Sequence, residues 1–174
     1  MKEIGVIPLI RQKKMVDLDS VKADKRWSFA DVSRRETLYV THGYHRYPAK
    51  FIPQLVSRII RRYSKKGDLV LDSFGGCGTT LVESKISGRE SIGLDVNEVA
   101  VLIAKAKTIA LEPEALEQRN TILLERIANN KDTTNYFKNA NERLQYWFKP
   151  EEIIKLRIIY DCIQEEEDNR TRLF

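Results

Sequence analysis

Apolar positions fall into a few patterns along the chain, and each predicts an element. In YPAKFIPQLVSRIIRRYSKK, Phe51, Ile52, Leu55, Val56, Ile59 and Ile60 recur at spacings of three and four, a helical stripe opposite Arg58, Arg61 and Arg62. Pro48 and Pro53 suit its first turns, where no intrahelical N–H is needed. Gly67 and Asp68 break the stripe. LVLD, Leu69 to Asp72, is then a continuous apolar run ending in an acid, which predicts a strand buried on both faces, and SIGLD, Ser91 to Asp95, repeats the pattern. Between the two, Thr79 to Ser87 predicts a helix closed by Ser87-Gly88. Residues 97 to 110 predict another helix, striped by Val99, Val101, Leu102, Ala104, Ala106 and Ile109, with Asn97 as N-cap.

The flanks are less regular. Residues 1 to 36 show no period and are expected to form an extended arm with one short helix; TLYV near Glu36 to Val40 predicts a short strand or extended lead-in. From Pro113 onward the composition is helical, interrupted by a polar break after Asn130, and the helical pattern is still open at Phe174. Tyr146, Trp147 and Phe148 are consecutive and cannot share one helical face, so at least one is expected to be exposed or docked; packing under a turn is the favoured expectation for the cluster.

A length of 174 residues allows one modest domain, read as a basic arm (1–40), an α/β core (41–112) and a helical extension (113–174). No run approaches the roughly 18 apolar residues of a membrane span. The start, MKEIGVIPLIRQKK, lacks a small-residue cleavage site, so the expectation is a cytoplasmic protein. Cys77 and Cys162 lie too far apart for a metal knuckle, and His42 and His45 have no carboxylate or thiol companions; neither metal nor disulfide is expected. Charge changes the picture more. Residues 1 to 66 hold 16 Lys/Arg against 6 Asp/Glu, a net of +10, while the other 108 carry −5. That asymmetry suggests contact with a polyanion, since cations that neutralise phosphates release condensed counterions.

The chemistry concentrates in the turn Asp72-Ser73-Phe74-Gly75-Gly76-Cys77-Gly78-Thr79-Thr80, between the first strand and its helix, where open α/β sheets bind ligands. Asp95, 23 residues after Asp72, is placed to accept both hydroxyl hydrogens of a ribose. A P-loop would need lysine after its last glycine, where Thr79 stands; a dinucleotide G-x-G-x-x-G would need glycine where Leu81 stands. A strand-end acid followed by Phe-x-Gly-x-Gly suits instead a short zwitterion whose ammonium faces Asp72, which points to S-adenosylmethionine. Cys77 is read as a small filler of the turn.

The run VLDSFGGCGTTLVES resembles motif I of the DNA methyltransferases that modify adenine N6 or cytosine N4, GLDVN resembles their motif II, and HGYHRYPAKFIPQL their motif X, over about residues 41 to 108. The resemblance implies an α/β, partial Rossmann-like, S-adenosylmethionine-dependent methyltransferase fold with a helical C-terminal extension. It implies donor contacts at Asp72, Phe74, Gly75, Gly76, Gly78 and Thr79 from motif I and Asp95 from motif II. Motif X would contribute Tyr47, Pro48, Ala49, Lys50 and Phe51, packed over the methionine end. The family's Asp/Asn/Ser-Pro-Pro-aromatic loop, which holds the flipped base, is absent, for no Pro-Pro dipeptide occurs. With motif order X, I, II, that loop would lie beyond Phe174. No catalytic residue is therefore assigned: the chain reads as the front part of a split or truncated enzyme, its loop missing by truncation or carried by a partner, and the expected partners are DNA and a second polypeptide carrying the loop, or self-association. An RNA guanine-N2 methyltransferase fragment and a non-catalytic relic or regulatory module stay open as alternatives.

Overall fold

The computed structural model describes residues 22, 24–130 and 136–174. Most of the expected arm, residues 1–21, and part of the polar break, residues 131–135, lie outside the described residues. The chain divides after Asp31. In the first part, Lys25–Trp27 is a 3-10 turn capped by Asp24, whose carboxylate accepts from the Arg26 backbone N–H and guanidinium.

In the second part the expected strand at Glu36 to Val40 is replaced by turns. Arg35–Thr37 is a 3-10 turn, the Tyr39 carbonyl accepts the His42 N–H, and Val40 has φ of 51°. Tyr39 is drawn out of an extended path because its hydroxyl reaches a buried carboxylate described below. Helix α1, Pro53–Tyr63, starts at Pro53 as its first residue, so Pro48 and Phe51 precede it. Its buried stripe is Pro53, Val56 and Ile60; Phe51 and Ile59, expected inside, are exposed.

Strand β1 is Leu69–Asp72, as read from the sequence. Helix α2 is Thr79–Ile86, and strand β2 is Glu90–Gly93, one residue earlier at its start and two shorter at its end than expected. The strands pair in parallel, Leu69 with Glu90 through Asp72 with Gly93. Helix α2 crosses over both strands, and α1 and α3 (Glu98–Thr108) pack against α2. Only one sheet face is covered. Leu71 is 64% exposed, and Leu69 and Ile92 beside it are also exposed, so the expectation of strands buried on both faces is corrected: no described element lies over that side. Among the described residues the sheet has two strands, and both outer edges are unpaired.

Asn97 caps α3 as expected, accepting the Val99 N–H at 3.0 Å. The buried face of α3 is Ala100, Ala104 and Lys107; of the predicted stripe Ala104 is buried and Val101, Ala106 and Ile109 are half-buried, whereas Val99 and Leu102 face outward, which corrects those two positions. Helices α4 (Pro113–Asn129), α5 (Glu142–Trp147), α6 (Pro150–Gln164) and α7 (Asn169–Leu173) follow. Helix α4 packs on α6, which buries Ile153 and Cys162, and α7 returns to α3. Tyr146, Trp147 and Phe148 are all exposed, so the expected packing of this cluster is corrected; Tyr146 and Trp147 meet edge to face, 5.0 Å between centroids. No described helix is long and apolar enough to cross a membrane.

Candidate functional site

The turn after β1 is held from three sides. The Asp72 carboxylate accepts the Phe74 N–H at 3.1 Å, and the Gly75 N–H donates to the Leu94 carbonyl at 2.8 Å, which ties the turn to the segment after β2. The Asp95 carboxylate then accepts the Gly76 N–H through Oδ2 and the Asn97 N–H through Oδ1, each at 2.8 Å. Those backbone donors, Asn97 first and Gly76 second, hold the Asp95 carboxyl below the usual aspartate range. Asp95 is thus ionised at neutral pH, and the Val96 N–H adds to the same effect. It lies two residues past the end of β2 rather than on it.

Glycine is required at two points of the turn. Gly76 (φ 48°) and Gly78 (φ 79°) adopt left-handed backbone. At Gly78 a Cβ would stand 2.8 Å from the Ala104 Cβ, so the glycine there admits helix α3 rather than a ligand. A Cβ on Gly76 would face Tyr47 at 3.6 Å, so motif X and the glycine turn do come together.

The other expected site residues are divided. Phe74 is 88% exposed at the crest of the turn, and Asp72 is half-buried below it. Tyr47 and Lys50 are half-buried, Lys50 Nζ donating to the His42 carbonyl at 2.7 Å. Pro48, Ala49 and Phe51 are exposed, and Ala49 carries an unfavourable φ of 56°. Thr79 is buried with its hydroxyl toward the Cys77 sulfur, 3.9 Å away, and does not reach the surface of the turn.

The sequence reading missed three neighbours. Val96, directly after the acid, is fully exposed, as Phe74 is on the turn. Its signal was an apolar residue at a position where no helix or strand could bury it. Glu83 of α2 is buried at 1% exposure, accepting from the Tyr39 hydroxyl at 2.5 Å and from His42 Nε2 at 2.9 Å. Since the carboxylate can only accept, Nε2 carries the hydrogen. His42 is wholly buried, its Nδ1 meeting no donor among the described residues. Burial opposes charge on Glu83, yet hydrogen bonds from His42, Tyr39 and Ser57 outweigh it and keep the carboxyl below its usual range. This cluster clamps the segment leading to Tyr47 onto the helix that springs from the glycine turn. The third is Lys107, buried on α3 beneath Cys77. Among the described residues no group of three His, Cys, Asp or Glu side chains gathers as a metal site would require.

Comparison with known proteins gives the family of the chain. The profile of a DNA methylase family matches residues 9–106. The chain is 31% identical over 175 residues to the Type II methyltransferase M.MvaI of Kocuria varians, covering 92% of the chain and 38% of that protein. It is 34% identical over 122 residues to the Type II methyltransferase M.MjaII of Methanocaldococcus jannaschii, covering 70% of the chain and 22% of the relative. The chain therefore spans well under half the length of these curated relatives. No solved structure gives a significant match.

Proposed function

The chain belongs to the amino-group DNA methylase family, and from that premise we propose that it carries the methyl-donor site of a site-specific DNA amino-methyltransferase of restriction-modification type. The observation that carries the reading is the bond from the Gly76 N–H to Asp95 Oδ2 at 2.8 Å, which joins the glycine turn to an ionised acid at the carboxyl ends of two parallel strands. Such a crevice is where Rossmann-like sheets receive nucleosides.

The residues present fit S-adenosylmethionine. Asp95 keeps acceptor capacity for the ribose hydroxyls, the bare rings and methyls of Phe74 and Val96 offer an apolar seat for a flat base, and Asp72 supplies an anion near the ammonium. Tyr47, drawn to Gly76, brings motif X with Lys50 over the remaining end, and Gly75 and Gly76 leave the backbone half-exposed, while Gly78, buried against α3, shapes the turn from behind. Pro48, Ala49 and Phe51 form the exposed lip of that segment, while Thr79 acts from below through the turn. When bound, the donor supplies an electrophilic methyl group; the chain's own residues bind and orient it.

Transfer needs a group that holds the target amino nitrogen in line with that methyl. With no Pro-Pro dipeptide in these residues, the proposal is that they bind the donor without themselves transferring the methyl, and that the catalytic loop comes from further chain beyond them or from a second polypeptide, which would meet the uncovered sheet face and the helices from Pro113 onward. DNA would be met by the basic first 66 residues.

Calorimetry with S-adenosylhomocysteine tests the donor site. Asp95→Ala is expected to weaken binding about ten- to a hundredfold, the worth of a pair of charge-assisted bonds. A folded Asp95→Ala chain with unchanged affinity would remove Asp95 from the site. Methyl transfer to DNA by the purified chain alone would show that a catalytic element is present in it.

A further inference from the structure

Lys107 belongs to none of the three motifs, yet its side chain ends directly beneath the glycine turn. It is 4% exposed; Nζ donates to the Cys77 carbonyl at 2.8 Å and lies 3.7 Å from Cys77 Sγ, and the Lys107 carbonyl accepts the Thr41 hydroxyl at 2.8 Å. A buried ammonium is costly unless a counter-charge stands nearby. Here the acceptors are a neutral carbonyl and a thiol, and no carboxylate of a described residue pairs with Lys107. A second cation adds to the imbalance. Lys50 is close enough for its charge to oppose that of Lys107, and its own Nζ also ends on a carbonyl, that of His42. Burial in the first place, with Lys50 reinforcing it and the Cys77 sulfur resisting, draws the Lys107 ammonium below the ordinary lysine range. Two positive groups thus converge behind one turn, and among the described residues neither is paired with a carboxylate; the acids of the turn, Asp72 and Asp95, are bonded to backbone N–H groups instead.

We infer that Lys107 is a positioning residue that makes the glycine turn select a ligand bearing a carboxylate, since both lysines end on neutral carbonyls and neither is paired with an acid among the described residues. The inference rests on the donor reading above and assigns one part of it, the anionic end of the amino acid moiety. Lys107 acts through the turn. By drawing the Cys77 carbonyl inward it keeps that oxygen's lone pairs away from the ligand side, where they would repel a carboxylate, and its charge lies under the crest of the turn on the side of Lys50. The arrangement also accounts for a lysine at a position of α3 that the helix buries along with Ala100 and Ala104.

Two probes isolate the effect: S-adenosylhomocysteine and its decarboxylated analogue, which keeps the adenosine, the thioether and the amine. The unaltered chain is expected to bind the first at least about tenfold more tightly, the scale of one charge-assisted contact. Lys107→Met, close to lysine in volume, is expected to lose most of that preference by weakening the carboxylate probe alone, and Lys107→Arg to retain part of it. Equal loss on both probes in a folded Lys107→Met chain would make Lys107 a scaffold only and overturn the assignment. Where Lys107→Met gives no cooperative melt, the unaltered chain still decides, since equal affinity for the two probes overturns the assignment without any variant. Binding of neither probe by the unaltered chain would sink the donor reading itself, a result distinct from binding without selectivity.

Discussion

Replacing Gly78 with alanine tests whether the glycine turn owes its shape to the helix behind it. The new Cβ would sit 2.8 Å from the Ala104 Cβ and 3.0 Å from its Cα, contacts with backbone-anchored atoms that cannot swing aside. Two costs combine. A non-glycine residue in the left-handed region costs roughly 1–2 kcal/mol, and forcing an extra methyl into a packed contact about 1–3 kcal/mol. Gly78→Ala is therefore expected to destabilise the chain by about 2–5 kcal/mol, a fall in melting temperature on the order of 10 °C for a chain of this size. Gly67 provides the control, for it has φ of 86° and nothing within 4 Å of where an added methyl would stand. Gly67→Ala should show only the backbone cost of roughly 1–2 kcal/mol. Urea denaturation of both variants, with slopes compared to confirm the same unfolding reaction, gives the difference directly. Ala104→Gly in the Gly78→Ala background should recover part of the loss. Equal destabilisation by the two glycine variants would mean that α3 does not shape the turn.

Three further outcomes follow from the same structure. Glu83 has a folded-state carboxyl below its unfolded value of 4.5, so its contribution to stability is fully present above that value and is lost as pH falls through the lower folded one; Glu83→Gln should flatten the acid limb of a stability profile, and an unchanged limb would refute the clamp. Leu71→Ser lies on the uncovered sheet face and should alter stability by less than about 0.5 kcal/mol while reducing self-association in sedimentation; a large destabilisation would mean that the face is covered. Val82→Ala, at 2% exposure on the covered side, should cost on the order of 1–3 kcal/mol by urea denaturation, and a negligible loss would place the core elsewhere.

The site was more legible in the sequence than its surroundings, for reasons that differ by residue. Strand β1 and the glycine turn announce themselves because an apolar run, an acid and glycines in left-handed positions each answer a local requirement. Strand β2 was displaced because Glu90 joins the ladder through its backbone, which a hydropathy pattern cannot register, while Leu94 bonds onward to the Asp72 carbonyl and the Gly75 N–H, where β1 has already turned away. The stripe of α3 was read correctly at Ala104, whose small side chain the close approach to Gly78 selects, and misread at Val99 and Leu102, which face outward while Ala100 and Lys107 complete the buried face. Glu83 and Lys107 were invisible as core residues because polarity argues against burial until a partner 41 or 30 residues away is known. Tyr39 was assigned to a strand by its propensity, which a long-range bond to Glu83 overrides.

The sequence separations within the site carry a consequence for the order in which it forms. Strand partners stand 21 positions apart, 69 against 90, and the bond from Gly76 to Asp95 closes a loop of 19, whereas the Lys107 and His42 clamps close loops of 30 and 41. Short loops cost less entropy to close and speed folding. The turn and its acid should accordingly assemble early, as a local crossover unit, with the buried cation and the imidazole added afterwards to lock a shape already drawn. In folding kinetics Asp95→Ala would then slow refolding while Glu83→Gln mainly speeds unfolding; slowed refolding by both would mean that the site condenses in one step.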